Sequence, residues 1–399
     1  MRQFFRQTTF ICLWFLQQSI LQPSCKAQPN PATAPPPPRL NVTVRVGKTA
    51  KWEQCVDQGG FARGDWLLDK NYSMAGPCTG APQRRHLWRP SDPGCSSRFN
   101  YSMTPVKLCG ALRAKGISRI LTVGDSVQRS FSADLVSYVS TCSVKKKPIV
   151  NHGEAYFAAP HPGVKHTHDT DYDMTKCKNH RYTLDKFANA DVVIINFGHH
   201  YMPKSYKQHP LGLKEWRHDM RLFLGNASAA IRSREVDMFD AGNGPMARPK
   251  LVLWRHLVYG HPECYKHREE EVLLTEEEAQ RMDVIDNSII DADGVHQTPY
   301  GWELRGLFNQ EAPAIVREFF PDSSVMDVEA LSRRRADLHE YNYHSNDYKK
   351  KEKSDCLHYN RMIRTENRKP NCKSPEGGDW IGIMNFHWIV YLFGIIRAS

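Results

Sequence analysis

No two of the eleven cysteines stand in Cys-x-x-Cys spacing, the pattern by which short loops grip a structural zinc ion. Metal knuckles are therefore excluded, and no bound metal is expected. The chain carries no internal repeat, which removes solenoids and propellers. Its most apolar stretches lie within residues 1–27 and 380–396, and each falls short of the roughly 20 apolar residues that a membrane span prefers. Basic runs stop at three residues, at 145–147 and 349–351, and no nucleic-acid motif is visible. Nucleic acid is thus not an expected partner. The polar stretch with His161, His166, His168, Asp169, Asp171 and Asp173 lacks the mid-loop glycine and closing glutamate of a calcium loop. No strand leads into Asp169-Thr170-Asp171, as a glycosyltransferase metal clamp would require. A solvated loop is expected there.

What the chain does contain is length and apolar content. Its 399 residues, 40% apolar and 11% aromatic, suffice for one large domain, or one domain with a smaller lobe. The formal net charge of +11 suits an acidic glycan, a nucleotide-linked donor or an anionic membrane, and equally a merely solvated surface.

Arg2 and Arg6 precede a short apolar run, so residues 1–27 read as a secretory signal cut after Ala27 or as a retained signal-anchor. Residues 28–50 form a proline-rich linker that stays extended. Either reading places the bulk of the protein in the secretory lumen, Golgi included, membrane-anchored or secreted. Nine cysteines follow the leader, and an oxidising lumen would pair most of them. Sequons at Asn41, Asn71, Asn100 and Asn226 agree with a glycoprotein.

Residues 51–110 are dense in Cys, Gly, Pro and Trp and predict a loop-rich lobe stapled by disulfides. From residue 111 to 399, short apolar runs alternate with helical segments, which indicates an α/β domain with a mainly parallel sheet. Strands are expected at 120–123, 192–195, 251–254 and 325–328, and helices at 127–140, 214–234, 275–290 and 303–319. The apolar tail 380–396 reads as a helix docked on the domain or as a second membrane segment.

Gly124-Asp125-Ser126 closes the run 120–123. A strand that passes into a helix at this point presents the serine hydroxyl at the sheet's carboxyl edge. It also turns the helix's first N–H groups toward the same place, the beginnings of an oxyanion hole. A neutral hydroxyl is a weak nucleophile at pH 7 and needs an imidazole to take its proton. Asp355-Cys356-Leu357-His358 supplies a base and an orienting carboxylate about one helical turn apart. Asp293-Gly294-Val295-His296 has the same spacing and competes for the role, so Asp293 and His296 form the alternative acid–base pair.

These blocks resemble a known family. Gly124-Asp125-Ser126 with Arg129, then Asn196-Phe197-Gly198-His199 and Asp355-Cys356-Leu357-His358, recur in that order in the trichome birefringence-like/PC-esterase proteins. Those are polysaccharide O-acetyltransferases of the SGNH (GDSL-like) superfamily. Trp52…Cys55, Gly64-Asp65-Trp66, Trp88-Arg89-Pro90…Cys95 and Leu331-Ser332…Arg335-Ala336-Asp337-Leu338-His339 extend the likeness over roughly residues 52–360. The resemblance implies a three-layer α/β/α SGNH-like domain with Ser126 as nucleophile, His358 as base and Asp355 as its carboxylate. It implies an oxyanion held by the Ser126 N–H with Asn196 or Gly198, and support from Gly124, Asp125 and Arg129. It implies acetyl transfer to a polysaccharide or other glycan hydroxyl, with no bound cofactor and an acetyl donor as co-substrate. A carbohydrate acetylesterase and a silent glycan-binding protein are the alternatives. The sequence departs from the pattern at 360–371, an apparent insertion that leaves the partner of Cys372 open.

Overall fold

Three of the expected strands run where the apolar pattern puts them, and every residue of two of them is buried. A computed structural model describes residues 49–69, 85–99, 101, 104–140, 149–154, 184, 186–201, 212–240, 249, 251–261, 264, 273–281, 305–339, 356–357, 359 and 383–398. All of these fall within one compact unit, Asn41–Ala159 with Thr183–Ser399. Residues 1–48, the stretch 161–173 and the sequons Asn71 and Asn100 lie outside the described residues.

The chain runs through β1 (Gly64–Asp69), β2 (Arg85–Pro90), α1 (Pro105–Ala114), β3 (Arg119–Gly124), α2 (Ser126–Ser140), β4 (Ile149–Glu154) and β5 (Val192–Asn196). It continues with α3 (Gly212–Asp240), β6 (Leu251–Arg255), α4 (Glu276–Arg281), α5 (Arg305–Phe319), β7 (Ser324–Met326) and α6 (Ile383–Ala398). Strands β3 to β7 form one sheet in the order β4-β3-β5-β6-β7, with every neighbouring pair parallel. The fold is therefore mixed α/β. After β3 the chain moves outward to β4, then returns to the other side of β3 as β5. The strand order thus reverses between β3 and β5, the topological switch point at whose carboxyl ends open α/β sheets form their ligand crevice. Strand β7 stops at Met326, so Asp327 and Val328 lie past its end rather than within it.

Alternate strand residues enter different packing groups. Ile120, Val192, Ile194, Leu251 and Leu253 join a core with Phe131 and Leu135 of α2 and Trp388 and Ile389 of α6. Trp254 instead meets Trp216 of α3 at 6.2 Å, and Trp216 meets Phe308 of α5 at 4.8 Å. Ion pairs Arg217–Glu311 and Arg221–Glu318 link α3 to α5, but their exposure makes them minor contributors.

The segment 51–110 holds more regular structure than its composition suggests. Its strands β1 and β2 pair antiparallel from Gly64↔Pro90 to Asp69↔Arg85, and Cys55 bonds Cys95. Nor does it pack by itself. Phe61 meets Tyr391 of α6 at 5.2 Å, and Trp66 meets His387 at 4.7 Å. Helix α6 is largely apolar around its circumference and buried from Met384 to Ile396, with Asn385 and His387 the polar residues enclosed and Arg397 exposed near its end. Its last carbonyls accept bonds from Thr49 Oγ1 (2.9 Å to Ala398) and Arg98 Nη1 (3.0 Å to Arg397). This docking matches the first reading of the tail. Among the described residues, no helix is long and apolar enough to cross a membrane.

Candidate functional site

Ser126 opens α2 directly after β3, half-buried at the carboxyl edge of the sheet. Gly124 is set by close approach rather than by unusual backbone. A Cβ there would lie 1.9 Å from the Asn196 carbonyl oxygen and 2.6 Å from Gln128 Cβ. Asp125 is buried, and its Oδ1 accepts the Val127 N–H at 3.1 Å, satisfying one free donor at the start of α2. Its Oδ2 pairs at 3.1 Å with Nδ1 of His199, also buried, whose Nε2 lies 3.5 Å from the Val258 carbonyl oxygen. His199 closes the Asn196-Phe197-Gly198-His199 block, where the sequence alone assigns it no role. Arg129 sits one turn into α2 with its side chain exposed.

A buried polar network lies beneath the serine. Arg255 donates from Nε to Gln128 Oε1 (2.7 Å) and from Nη2 to Asn196 Oδ1 (2.9 Å). Its guanidinium also lies over the Trp388 ring at 4.5 Å. Burial pushes the Arg255 guanidinium down to about 9, and the Asp125 carboxylate opposes that shift. Since 9 is above neutrality, Arg255 remains charged at pH 7 and its hydrogen bonds are charge-assisted.

Asn196 changes role relative to expectation. Its Nδ2 donates to the carbonyls of Arg255 (2.9 Å) and His256 (3.0 Å), which occupies both amide protons. The side chain thus holds β5 to the end of β6 and is no oxyanion donor. Gly198 is buried, and a Cβ there would come within 2.6 Å of Leu257 Cδ1. Asn226 is corrected as well. It lies inside α3, partly exposed but with its Nδ2 buried, an orientation that does not present the amide to an oligosaccharyl group.

Asp355, His358, Asp293 and His296 lie outside the described residues. The neighbours of position 358 do not. Cys356 bonds Cys264, and its carbonyl accepts the His261 N–H at 2.9 Å. Tyr359 donates to the Tyr259 carbonyl at 2.7 Å and stacks edge-on against Trp388 at 5.9 Å. Burial pushes the Tyr359 phenol well up, so it stays protonated as a donor. The chain on both sides of position 358 is therefore fastened to the loop that leaves the carboxyl end of β6. Val258, the residue that His199 approaches, belongs to that same loop.

The Cys264–Cys356 bond spans 92 residues. Replacing both with serine is expected to cost about 2–4 kcal/mol of stability, because the unfolded chain regains the loop's freedom. Urea denaturation measures this. A loss under 1 kcal/mol contradicts a tethering role for the bond.

One further cluster escaped the sequence reading. His256 follows β6, and its Nδ1 lies 2.9 Å from Asp327 Oδ1 and 3.8 Å from Glu329 Oε2. These residues offer the one set among those described that could hold a metal, with ligand atoms within 4.8 Å of one another. Yet Asp327 Oδ1 and both Glu329 oxygens already face a donor or a cation. Asp327 Oδ1 receives the Glu329 N–H at 3.3 Å in addition to the imidazole. Glu329 Oε2 receives Asn309 Nδ2 at 2.9 Å, and Oε1 faces Arg305 Nε at 3.3 Å. A guanidinium so close opposes a second cation, and the set reads better as a carboxylate-held imidazole. Burial raises the Asp327 carboxyl, but the His256 hydrogen bond and charge and the Glu329 amide bring it net below 3.8. Its contribution to stability is thus complete above 3.8 and fades only as stronger acid protonates it. The signal in sequence was weak, since His256 and Asp327 are each merely the first polar residue past an apolar run.

No protein-family model matches the chain, and no curated protein matches it, so its function is argued from the site itself.

Proposed function

We propose that this chain is an acyltransferase of the secretory pathway that moves an acetyl group onto a glycan hydroxyl through an acyl-Ser126 intermediate. The observation that carries the reading is Ser126 at the carboxyl end of β3 beside the switch point, with the chain flanking position 358 fastened to the neighbouring strand-end loop. Burial of alternate strand residues against separate helix groups supports the finer fold, a three-layer SGNH-like α/β/α domain. The motif resemblance to PC-esterase proteins supports transfer rather than hydrolysis, and membership of that family is part of the proposal.

In the first half-reaction the Ser126 oxygen attacks the donor's acetyl carbon. His358, oriented by Asp355, takes the hydroxyl proton and passes it to the leaving group as the donor bond breaks. The Ser126 N–H at the start of α2 steadies the oxyanion. In the second half-reaction a glycan hydroxyl attacks the acetyl ester. Its proton goes to the imidazole and then to the serine oxygen, which restores the enzyme. Water in place of the glycan would make the protein a carbohydrate esterase. A lumenal setting agrees with the disulfides Cys55–Cys95 and Cys264–Cys356.

A serine-reactive fluorophosphonate tests the reading. Wild type is expected to be labelled once, on the peptide that contains Ser126. A folded wild type that resists labelling, or is labelled elsewhere, sinks the enzyme reading and favours a silent glycan-binding protein.

A further inference from the structure

We infer that His256 forms the acceptor subsite, its Nε2 accepting a hydrogen bond from a glycan hydroxyl beside the acyl-serine. The inference rests on the acyl-Ser126 reading. Nδ1 lies 2.9 Å from an Asp327 carboxylate oxygen that can only accept, so Nδ1 carries a proton. In the neutral ring Nε2 then keeps its lone pair, and among the described residues no group bonds to it. The His256 side chain is 14% exposed, which leaves it within reach of a ligand.

The imidazole is held more firmly than a chance surface histidine. Asp327 is fixed by the Glu329 amide, and Glu329 by Asn309 and Arg305. The His256 backbone is pinned from two sides, its N–H to the Met326 carbonyl at 3.1 Å and its carbonyl by Asn196 Nδ2 at 3.0 Å. Such a shell fixes both tautomer and ring orientation, as recognition of one hydroxyl requires.

Position supplies the remaining argument. Gly124 pairs in register with Asn196, and Asn196 bonds the His256 carbonyl, so Ser126 and His256 leave strand ends two steps apart on one edge. Two steps amount to about 9.6 Å, a gap that one sugar ring and its substituents fill. A hydroxyl held by Nε2 would keep that ring over the serine ester. A neighbouring hydroxyl of the same ring would then face the acetyl carbon.

The test separates acylation from transfer. Wild type, His256→Ala, His256→Gln and Asp327→Asn are compared for fluorophosphonate labelling rate. They are then compared for transfer from p-nitrophenyl acetate to xylo-, manno- and galacturono-oligosaccharides, read by mass spectrometry. Labelling is expected to stay within about twofold of wild type in all three variants, while KM for the oligosaccharide rises roughly tenfold in His256→Ala with kcat little changed. His256→Gln, which keeps an acceptor atom, should recover part of the loss, and Asp327→Asn should resemble His256→Ala. Labelling that falls in parallel with transfer overturns the subsite, because His256 would then serve the serine or the fold. Unchanged KM overturns it too, as does a wild type labelled on Ser126 whose deacylation no oligosaccharide accelerates. Transfer abolished by EDTA and restored by Mn²⁺ replaces it with a metal site. A wild type that is never labelled defeats the acyl-serine reading itself, a distinct result.

Discussion

Ser126→Ala is expected to abolish acetyl transfer, lowering kcat on the order of 10⁴- to 10⁶-fold while leaving the fold intact. The oxygen removed is the one that carries the acetyl group, and binding with the remaining N–H donors supports only residual catalysis. The stability change should stay within about 1 kcal/mol, since Ser126 is half-buried and Asp125 Oδ1 takes the Val127 N–H at the helix start. Circular dichroism with a urea titration establishes the fold, and the p-nitrophenyl acetate assay establishes the rate. The same assay decides between the two histidines. His358→Ala should match Ser126→Ala, and the double variant should be no worse, because the two side chains act as one unit. His296→Ala should stay close to wild type. The opposite pattern reassigns the base to the Asp293/His296 pair.

Gly124→Ala is expected to damage both stability and activity. The added methyl would meet the Asn196 carbonyl oxygen at 1.9 Å and Gln128 Cβ at 2.6 Å, distances at which something must move. Neither neighbour yields easily. Asn196 is locked in the β3–β5 register, and Gln128 is bonded to Ile194 and Arg255. Opening the strands should cost about 3 kcal/mol or more. A shift of roughly 1 Å in Ser126 should slow fluorophosphonate labelling by about 10²-fold. Urea denaturation gives the first quantity and labelling kinetics the second. A loss under 1 kcal/mol would mean that β3 and β5 do not approach so closely at this point.

The central strands were legible because burial on both faces leaves nearly continuous apolar runs, as in Val192–Asn196 and Leu251–Arg255. Edge strand β4 was not, since it mixes Ile149 and Val150 with Asn151, His152 and Glu154. Strands β1 and β2 were hidden for another reason. Cys, Gly and Trp dominate residues 51–110, and the pairing of Trp66 with Trp88 joins positions that no local periodicity connects. Helix α1 was masked by its basic side chains, although Leu108, Cys109 and Leu112 line its buried face.

At the site, Gly124, Asp125 and Ser126 were recognisable from the strand-to-helix transition alone. Partnerships between distant strand ends were not. Asp125 with His199, Arg255 with Gln128 and Asn196, and His256 with Asp327 are all brought together by the sheet order. Asn196 shows how a motif can mark a necessary residue and still suggest the wrong task. Its amide belongs to the carbonyls of Arg255 and His256 rather than to a reacting oxygen.

Trapping the covalent intermediate is the most direct measurement. Wild-type protein is mixed briefly with p-nitrophenyl acetate, quenched in acid, digested and mapped by mass spectrometry. One acetyl group on Ser126, lost again on longer incubation with an acceptor glycan, is the predicted result. Donor consumed while Ser126 stays unmodified, or acetyl found only on another residue, contradicts an acyl-serine enzyme.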